Sequence, residues 1–308
     1  MTELPPSSSG ASSETPGEPE PRASRPLEIA SRLARSAGEA IEAIRISGFE
    51  AVAKADESPV TAADLAADRI VVEGLAAAFS GDLILSEESG LRGPADAAHL
   101  WIIDPLDGTE AFVDPRTRGY AVQIARARRD GDRFVLELGV VYEPHAHTLF
   151  AATIDGPVTR EIDGVVVPLP VRPPAPLPPR IVTSTRISKP LRDRFLARGY
   201  ADGGELRSVG IKVAHLLEGH ADLYLATHGL AAWDLAAPQV LLEAAGGRVT
   251  DLDGQPPRYD VARLLGTAPP TSADVTARGD TKPRGPQGLV FTLGLDHADA
   301  LAALRRTH

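Results

Sequence analysis

No cysteine occurs among the 308 residues. Disulfides, thiolate metal sites and cysteine nucleophiles are therefore excluded. Positive charge is also scarce: 32 Lys and Arg stand against 42 Asp and Glu, a formal net charge of −10. With no basic run to overcome general repulsion of phosphates, a polynucleotide partner is not expected. A small phosphorylated ligand remains compatible with this balance if metal ions supply the positive charge. Long apolar runs are missing too. Nothing approaches the roughly 20 residues of a membrane span, and the N-terminus lacks the apolar core of a secretory signal, so no membrane association and a cytoplasmic location are expected.

What is present suits a globular fold. Hydrophobic residues make up 43% of the chain, enough at this length for one large domain or two modest lobes sharing a core. Two lobes are expected. Residues 1–25 mix Ser, Pro, Gly and Glu, too polar to offset the entropy of ordering, and read as a disordered tail. From Pro26, the residues Leu27, Ala30, Leu33, Ala34, Ala37, Ile41 and Ile44 recur at helical steps. A second amphipathic helix runs through Leu65, Val72, Leu75 and Phe79, with Thr61 as its N-cap and Asp64 at N3. Stretches 82–86, 120–127, 134–142 and 148–152 read as strands, the last three as an antiparallel meander. The proline-crowded segment 168–179 excludes helix and interior strand, and places a lobe boundary between residues 170 and 171. Beyond it, strands at 180–185, 221–226, 248–251 and 288–293 are interspersed with helices at 189–198, 209–218, 233–245 and 297–305. Residues 272–286 read as a mobile loop. The fold class is α/β, built in packed layers.

Function turns on Trp101-Ile102-Ile103-Asp104-Pro105-Leu106-Asp107-Gly108-Thr109. An apolar β-prone run delivers an acid, Pro105 is expected to break the strand, and a second acid, a glycine and a hydroxyl follow in a tight turn. Two carboxylates three residues apart on such a turn can face one centre, while Gly108 lets the backbone approach an anionic ligand. In isolation, a solvated turn after a buried strand explains the same residues. Other acids shift the balance. Glu87 and Glu88 follow the strand at 82–86 and point to opposite sides, Glu87 being the inward one. Asp234 stands at a helix start, where capping is the plain alternative, and Asp64 carries the same alternative. If Glu87, Asp104, Asp107 and Asp234 converge, their repulsion demands a cation, and oxygen-only ligands point to Mg²⁺. Two such ions about 3.5–4 Å apart would clamp a phosphate and activate a water.

Three blocks carry a resemblance: Ser86-Glu87-Glu88-Ser89, Asp104-Pro105-Leu106-Asp107-Gly108-Thr109, and Trp233-Asp234-Leu235-Ala236-Ala237 followed by Glu243-Ala244-Ala245-Gly246-Gly247. In order and approximate spacing the chain resembles the inositol monophosphatase superfamily from about Leu27 to its end. The resemblance implies the layered αβαβα fold of inositol monophosphatases and fructose-1,6-bisphosphatases. It also implies a phosphomonoesterase that uses two or three Mg²⁺ ions, is inhibited by lithium and forms a homodimer. By the same resemblance, Glu87, Asp104 and the Leu106 carbonyl hold one Mg²⁺, and Asp104, Asp107 and Asp234 hold a second. Gly108 and Thr109 would meet the phosphate, with Asp234 beside the substrate. Asp64 with Thr109 would orient the attacking water, so that Asp64, Thr109 and Glu87 form the catalytic group.

Within the superfamily, Ser58-Pro59-Val60-Thr61-Ala62-Ala63-Asp64 and Ser208-Val209-Gly210-Ile211-Lys212 are most similar to the 3′(2′),5′-bisphosphate nucleotidases. Those enzymes remove the 3′-phosphate of adenosine 3′,5′-bisphosphate during sulfate assimilation. That likeness implies a substrate contact for Lys212, a helix-surface lysine being the alternative. Thr227 stands where inositol monophosphatases carry a substrate-binding Glu, and His228 reads as a surface histidine. Two other readings stay open. One is a phosphatase of inositol 1-phosphate or another sugar phosphate; the other is a non-catalytic Mg²⁺ or phosphate-ligand binding protein on the same scaffold.

Overall fold

The computed structural model describes residues 25–49, 51–53, 59–114, 119–169, 178–184, 189–227, 229–267 and 288–305. The expected tail, apart from Arg25, lies outside these residues, as do the lobe boundary, His228 and the loop at 272–286. Helix α1 (Arg25–Ser47) buries Leu27, Ala30, Leu33, Ala34, Ala37 and Ile41, the face that the helical spacing predicts. Strands β1 (Ala51–Ala53) and β2 (Pro59–Thr61) pair and lead into α2 (Ala62–Ala78). The N-cap is Thr61 and a capping box closes on Asp64. Leu65, expected on the buried face, is 57% exposed. The buried stripe of α2 is Ala63, Ala67, Val71, Val72 and Leu75, and two acids, Asp64 and Asp68, lie within it.

Next come β3 (Leu83–Ser86), β4 (Gly90–Arg92), β5 (His99–Asp107), α3 (Thr109–Val113), β6 (Ala121–Asp130), β7 (Arg133–Glu143), β8 (Thr148–Thr153), β9 (Thr159–Ile162) and β10 (Val165–Val167). There follow β11 (Arg180–Ser184), α4 (Lys189–Ala197), β12 (Ala201–Leu206), α5 (Val209–Leu217), β13 (Leu223–Ala226) and α6 (Ala232–Ala244). The chain continues through β14 (Arg248–Asp251), β15 (Tyr259–Asp260), α7 (Val261–Leu264), β16 (Leu289–Thr292) and α8 (His297–Arg305). The larger sheet has the order β10-β9-β8-β7-β6-β5-β3-β4, with β15 added to β7; the smaller has the order β12-β11-β13-β16-β14. In the first only β3 and β5 run parallel; in the second β11 is parallel to both β12 and β13.

Alternation along β5 sets the layers. Trp101 and Ile103 enter an apolar cluster with α1 and α2, whereas Leu100 and Ile102 enter one with α5, α6 and the inner face of the smaller sheet. A third cluster joins the outer face of that sheet to Phe195 of α4 and to Ala300 and Leu301 of α8. Five layers result, α1/α2, sheet, α5/α6, sheet, α4/α8, which is the expected αβαβα sandwich. Helix α6 lies so close to β7 that a Cβ on Gly139 would stand 2.6 Å from the Ala237 carbonyl oxygen. No helix among the described residues is long and apolar enough to cross a membrane.

One expectation fails at the centre of the fold. Pro105 does not end its strand: β5 runs on to Asp107. Asp104 pairs with Gln123 and Asp107 with Ala121, so three steps on β5 span two on β6. This is a bulge, which tolerates a residue without an N–H. It also sets the chemistry. Strict alternation would put residues 104 and 107 on opposite faces. The extra residue sends Leu106 into the α1/α2 cluster and turns Asp107 towards α5, on the side of Asp104.

Candidate metal centre

Asp104, Asp107 and Asp234 bring carboxylate oxygens within 4.8 Å of one another. Asp104 and Asp107 are buried, at 1% and 5% exposure, and Asp234 is partly buried. Each is held by its own local structure. Asp104 Oδ1 accepts the Leu106 N–H at 3.0 Å, within the bulge. Asp107 Oδ2 accepts from Gln123 Nε2 at 2.5 Å, Ser208 Oγ at 2.5 Å and the Gly210 N–H at 2.8 Å. Ser208 is the N-cap of α5, so the start of that helix locks one oxygen of Asp107 and leaves the other towards its neighbours. Asp234 sits at N3 of α6, where Oδ2 accepts the Ala231 N–H at 2.8 Å.

Burial and repulsion act on all three. Desolvation first, then the charges of Glu87, Asp107 and Asp234, push the Asp104 carboxyl well above the usual carboxylate range. Asp107 is raised by burial to about 6, against the lowering effect of Ser208, Gly210 and Lys212. Asp234 is raised to about 8 by burial and then by Asp107 and Glu87. Glu87 stands outside the tight trio, yet its charge acts on every member. Among the described residues no ion pair neutralises the trio. An all-oxygen donor set with this excess of negative charge fits a hard divalent cation.

Asp64 lies beside this centre. One oxygen, Oδ2, caps α2 by accepting Thr61 N–H and Thr61 Oγ, both at 2.7 Å. The other, Oδ1, accepts the Thr109 hydroxyl at 2.9 Å, a hydroxyl that also lies 3.1 Å from the Leu106 carbonyl. One side chain therefore closes the helix start and also holds the Thr109 hydroxyl. Gly108 is left-handed, with φ +94°, and its missing Cβ admits the Gly119 carbonyl and Ser208. Lys212 is only 1% exposed, which removes the helix-surface alternative. Its Nζ donates to the Arg207 carbonyl at 2.8 Å and lies 4.9 Å from the centre of the Tyr224 ring. Its charge bears on Asp107 and Asp234. Trp233 is partly buried against the larger core.

Of the side chains that hold Asp107, Ser208 has a local signal in the sequence, a serine ahead of an apolar helical run, whereas Gln123 reaches it only through strand pairing.

The inositol monophosphatase family profile matches residues 23–279. The 3′(2′),5′-bisphosphate nucleotidase CysQ of Escherichia coli (strain K12) is 34% identical over 241 residues, covering 76% of this chain and 93% of the relative. Nus factor SuhB of the same strain is 31% identical over 241 residues, covering 74% and 85%. The crystal structure of extragenic suppressor protein suhB from Bartonella henselae superposes with a TM-score of 0.69 at 21% identity, covering 92% of this chain and all of that one. The chain, with its layered fold and its acidic centre, belongs to the inositol monophosphatase family, a family of phosphatases.

Proposed function

We propose that this chain is a Mg²⁺-dependent phosphomonoesterase whose preferred substrate is adenosine 3′,5′-bisphosphate, released as AMP and phosphate. The observation that carries the reading is the convergence of Asp104, Asp107 and Asp234, together with the Asp64–Thr109 hydrogen bond. Asp104, Asp107 and Asp234, with Glu87 and the Leu106 carbonyl, would hold two or three Mg²⁺ ions, the hard cation that oxygen donors favour. Those ions supply charge to the phosphoryl oxygens and acidity to a water.

The protein's own groups do the rest. Thr109 donates its single hydroxyl proton to Asp64, which leaves the Thr109 oxygen able to accept from a water and Asp64 able to take up the proton that water loses. Gly108 gives the phosphate close access to the backbone. Lys212 offsets part of the negative charge of Asp107 and Asp234, and its charge favours an anionic substrate at the centre. The nucleotide preference is supported by the likeness to the E. coli nucleotidase; Thr227, which supplies no carboxylate, weakens inositol phosphate as the substrate without choosing a replacement. A place in sulfate assimilation, lithium inhibition, homodimerisation and a division into lobes at residues 170 and 171 belong to the same reading.

The test is release of inorganic phosphate from adenosine 3′,5′-bisphosphate, inositol 1-phosphate and fructose 1,6-bisphosphate, with Mg²⁺ or with EDTA. The expected result is the highest kcat/KM for the nucleotide and no release in EDTA. A preference for inositol 1-phosphate would overturn the substrate and keep the reaction. Release from none of the three would overturn the reaction and favour a non-catalytic binding protein.

A further inference from the structure

Helix α2 carries a second buried acid, Asp68, one turn after Asp64 and on the same face. It is 8% exposed. Its Oδ1 accepts the Ser86 hydroxyl at 2.5 Å and the Ser89 hydroxyl at 3.1 Å. These serines bracket Glu87 and Glu88 in the turn between β3 and β4, where Ser86 pairs with Gly90. The Glu87 N–H donates to the Ile103 carbonyl at 3.1 Å, which ties the start of the turn to β5 one residue before Asp104.

We infer that Asp68 is a positioning residue for the metal centre: by gripping both serines it fixes the turn that aims Glu87 at Asp104, Asp107 and Asp234. The inference rests on the Mg²⁺ reading above and deepens it. Glu87 stands on the turn after β3, whereas the trio stands on a bulge and at two helix starts. That turn is three residues long. Asp68 closes it from the α2 side, and because Asp64 meets Thr109 from the same helix, α2 sets the distance between Glu87 and the water-orienting pair. The grip depends on an oxygen acceptor: each serine donates one hydrogen, and Oδ1 has lone pairs for both. Without it, the buried Ser86 hydroxyl loses its Asp68 acceptor, and Ser89 loses the same one.

The experiment titrates Mg²⁺ calorimetrically into the full chain, alongside kcat at saturating Mg²⁺ and the melting midpoint in EDTA. Asp68→Ala is expected to weaken Mg²⁺ binding by about tenfold, the lower end of the range for outer partners of metal ligands, because it acts on Glu87 through the flanking serines, with kcat largely recovered at saturating Mg²⁺. Asp68→Asn keeps an acceptor oxygen and is expected to bind Mg²⁺ close to the parent. Ser86→Ala with Ser89→Ala keeps the acid and is expected to reproduce the loss. This pair also decides the matter if Asp68→Ala does not fold. Unchanged Mg²⁺ affinity in the alanine variants, even with a lower melting midpoint in EDTA, would reduce Asp68 to a structural role and overturn the inference. An Asn variant as weak as the Ala variant would overturn it too, because charge and not the acceptor would then carry the effect. A parent chain that takes up no Mg²⁺ would instead overturn the reading on which the inference rests, before any variant is compared.

Discussion

Asp104 is an acid whose surroundings work against its charge: it is buried, and three other carboxylates push on it. Such a group costs stability while no cation is bound, and it is indispensable once one is. Replacing Asp104 with Asn should therefore split the two properties. Phosphate release is expected to fall by more than about 100-fold, since even outer partners of metal ligands are worth 10–100-fold. The melting midpoint in EDTA is expected to rise, because one repelling charge is gone. Turnover equal to the parent would remove Asp104 from the centre. Thr109 makes a different kind of contribution. Thr109→Val keeps the shape and deletes the hydroxyl, so kcat should drop about 10²–10⁴-fold, the range for a lost proton-transfer arrangement, while calorimetry should find Mg²⁺ affinity little changed. At this scale the sequence exposes the acids themselves but not what holds them. Asp64 is legible at N3 and Asp234 at a helix start, and the structure shows that capping uses one oxygen of each and leaves the other for a second contact. The partners of Asp107 lie 16 residues away at Gln123 and 101 away at Ser208. No local pattern announces contacts of that range.

Elements with a strong period or cap were legible, and those imposed by neighbours were not. Helix α2 begins at Thr61 because hydroxyl and carboxylate close a capping box there. Helix α6 yields to Gly246, whose φ is +81°. By contrast, Ala201-Asp202-Gly203-Gly204-Glu205-Leu206 has no alternation, and forms β12 because β11 offers a parallel edge. The two residues of β15 exist only as an addition to β7. Pro105 misleads for a related reason: a proline ends a strand that must donate its N–H, but a bulge supplies a place where none is needed. The position of α6 is the element-scale feature on which the centre depends, since that helix carries Asp234. It rests on the absent side chain of Gly139, where a Cβ would meet the Ala237 carbonyl oxygen at 2.6 Å and Val240 Cβ at 3.0 Å. Gly139→Val is therefore expected to cost about 1–3 kcal/mol in chemical denaturation, as overpacking does. It should also weaken Mg²⁺ binding although the substitution touches no ligand. An unchanged Mg²⁺ titration in this variant would show that α6 and Asp234 tolerate the shift.

Across the whole molecule the layered core carries a charge distribution that works against it when no cation is bound. A net charge of −10 is spread over the chain, and the acids that suffer most are interior ones. Burial and repulsion raise Asp104 well above the carboxylate range, Asp107 to about 6 and Asp234 to about 8. Glu143, away from the centre, is raised by burial and by Glu218 to about 7. In the unfolded chain such groups return to the ordinary range near 4. Between those two limits the folded state holds more protons than the unfolded state, so stability is greatest at the acid end and is lost as pH rises through the folded values. Bound Mg²⁺ reverses the trend at the centre, because it takes the deprotonated carboxylates and competes with protons for them. In EDTA the melting midpoint is expected to fall from about pH 5 to about pH 8. The rise on adding saturating Mg²⁺ should be larger at the upper pH. Surface repulsion also grows with pH in so acidic a protein, but added salt screens it while leaving buried pairs little affected. The decline should therefore persist at high ionic strength and become shallower in Asp104→Asn. A midpoint in EDTA that climbs with pH, or a Mg²⁺-induced rise equal at both ends, would mean that the trio does not bear its charges in the buried, mutually opposed way its geometry implies.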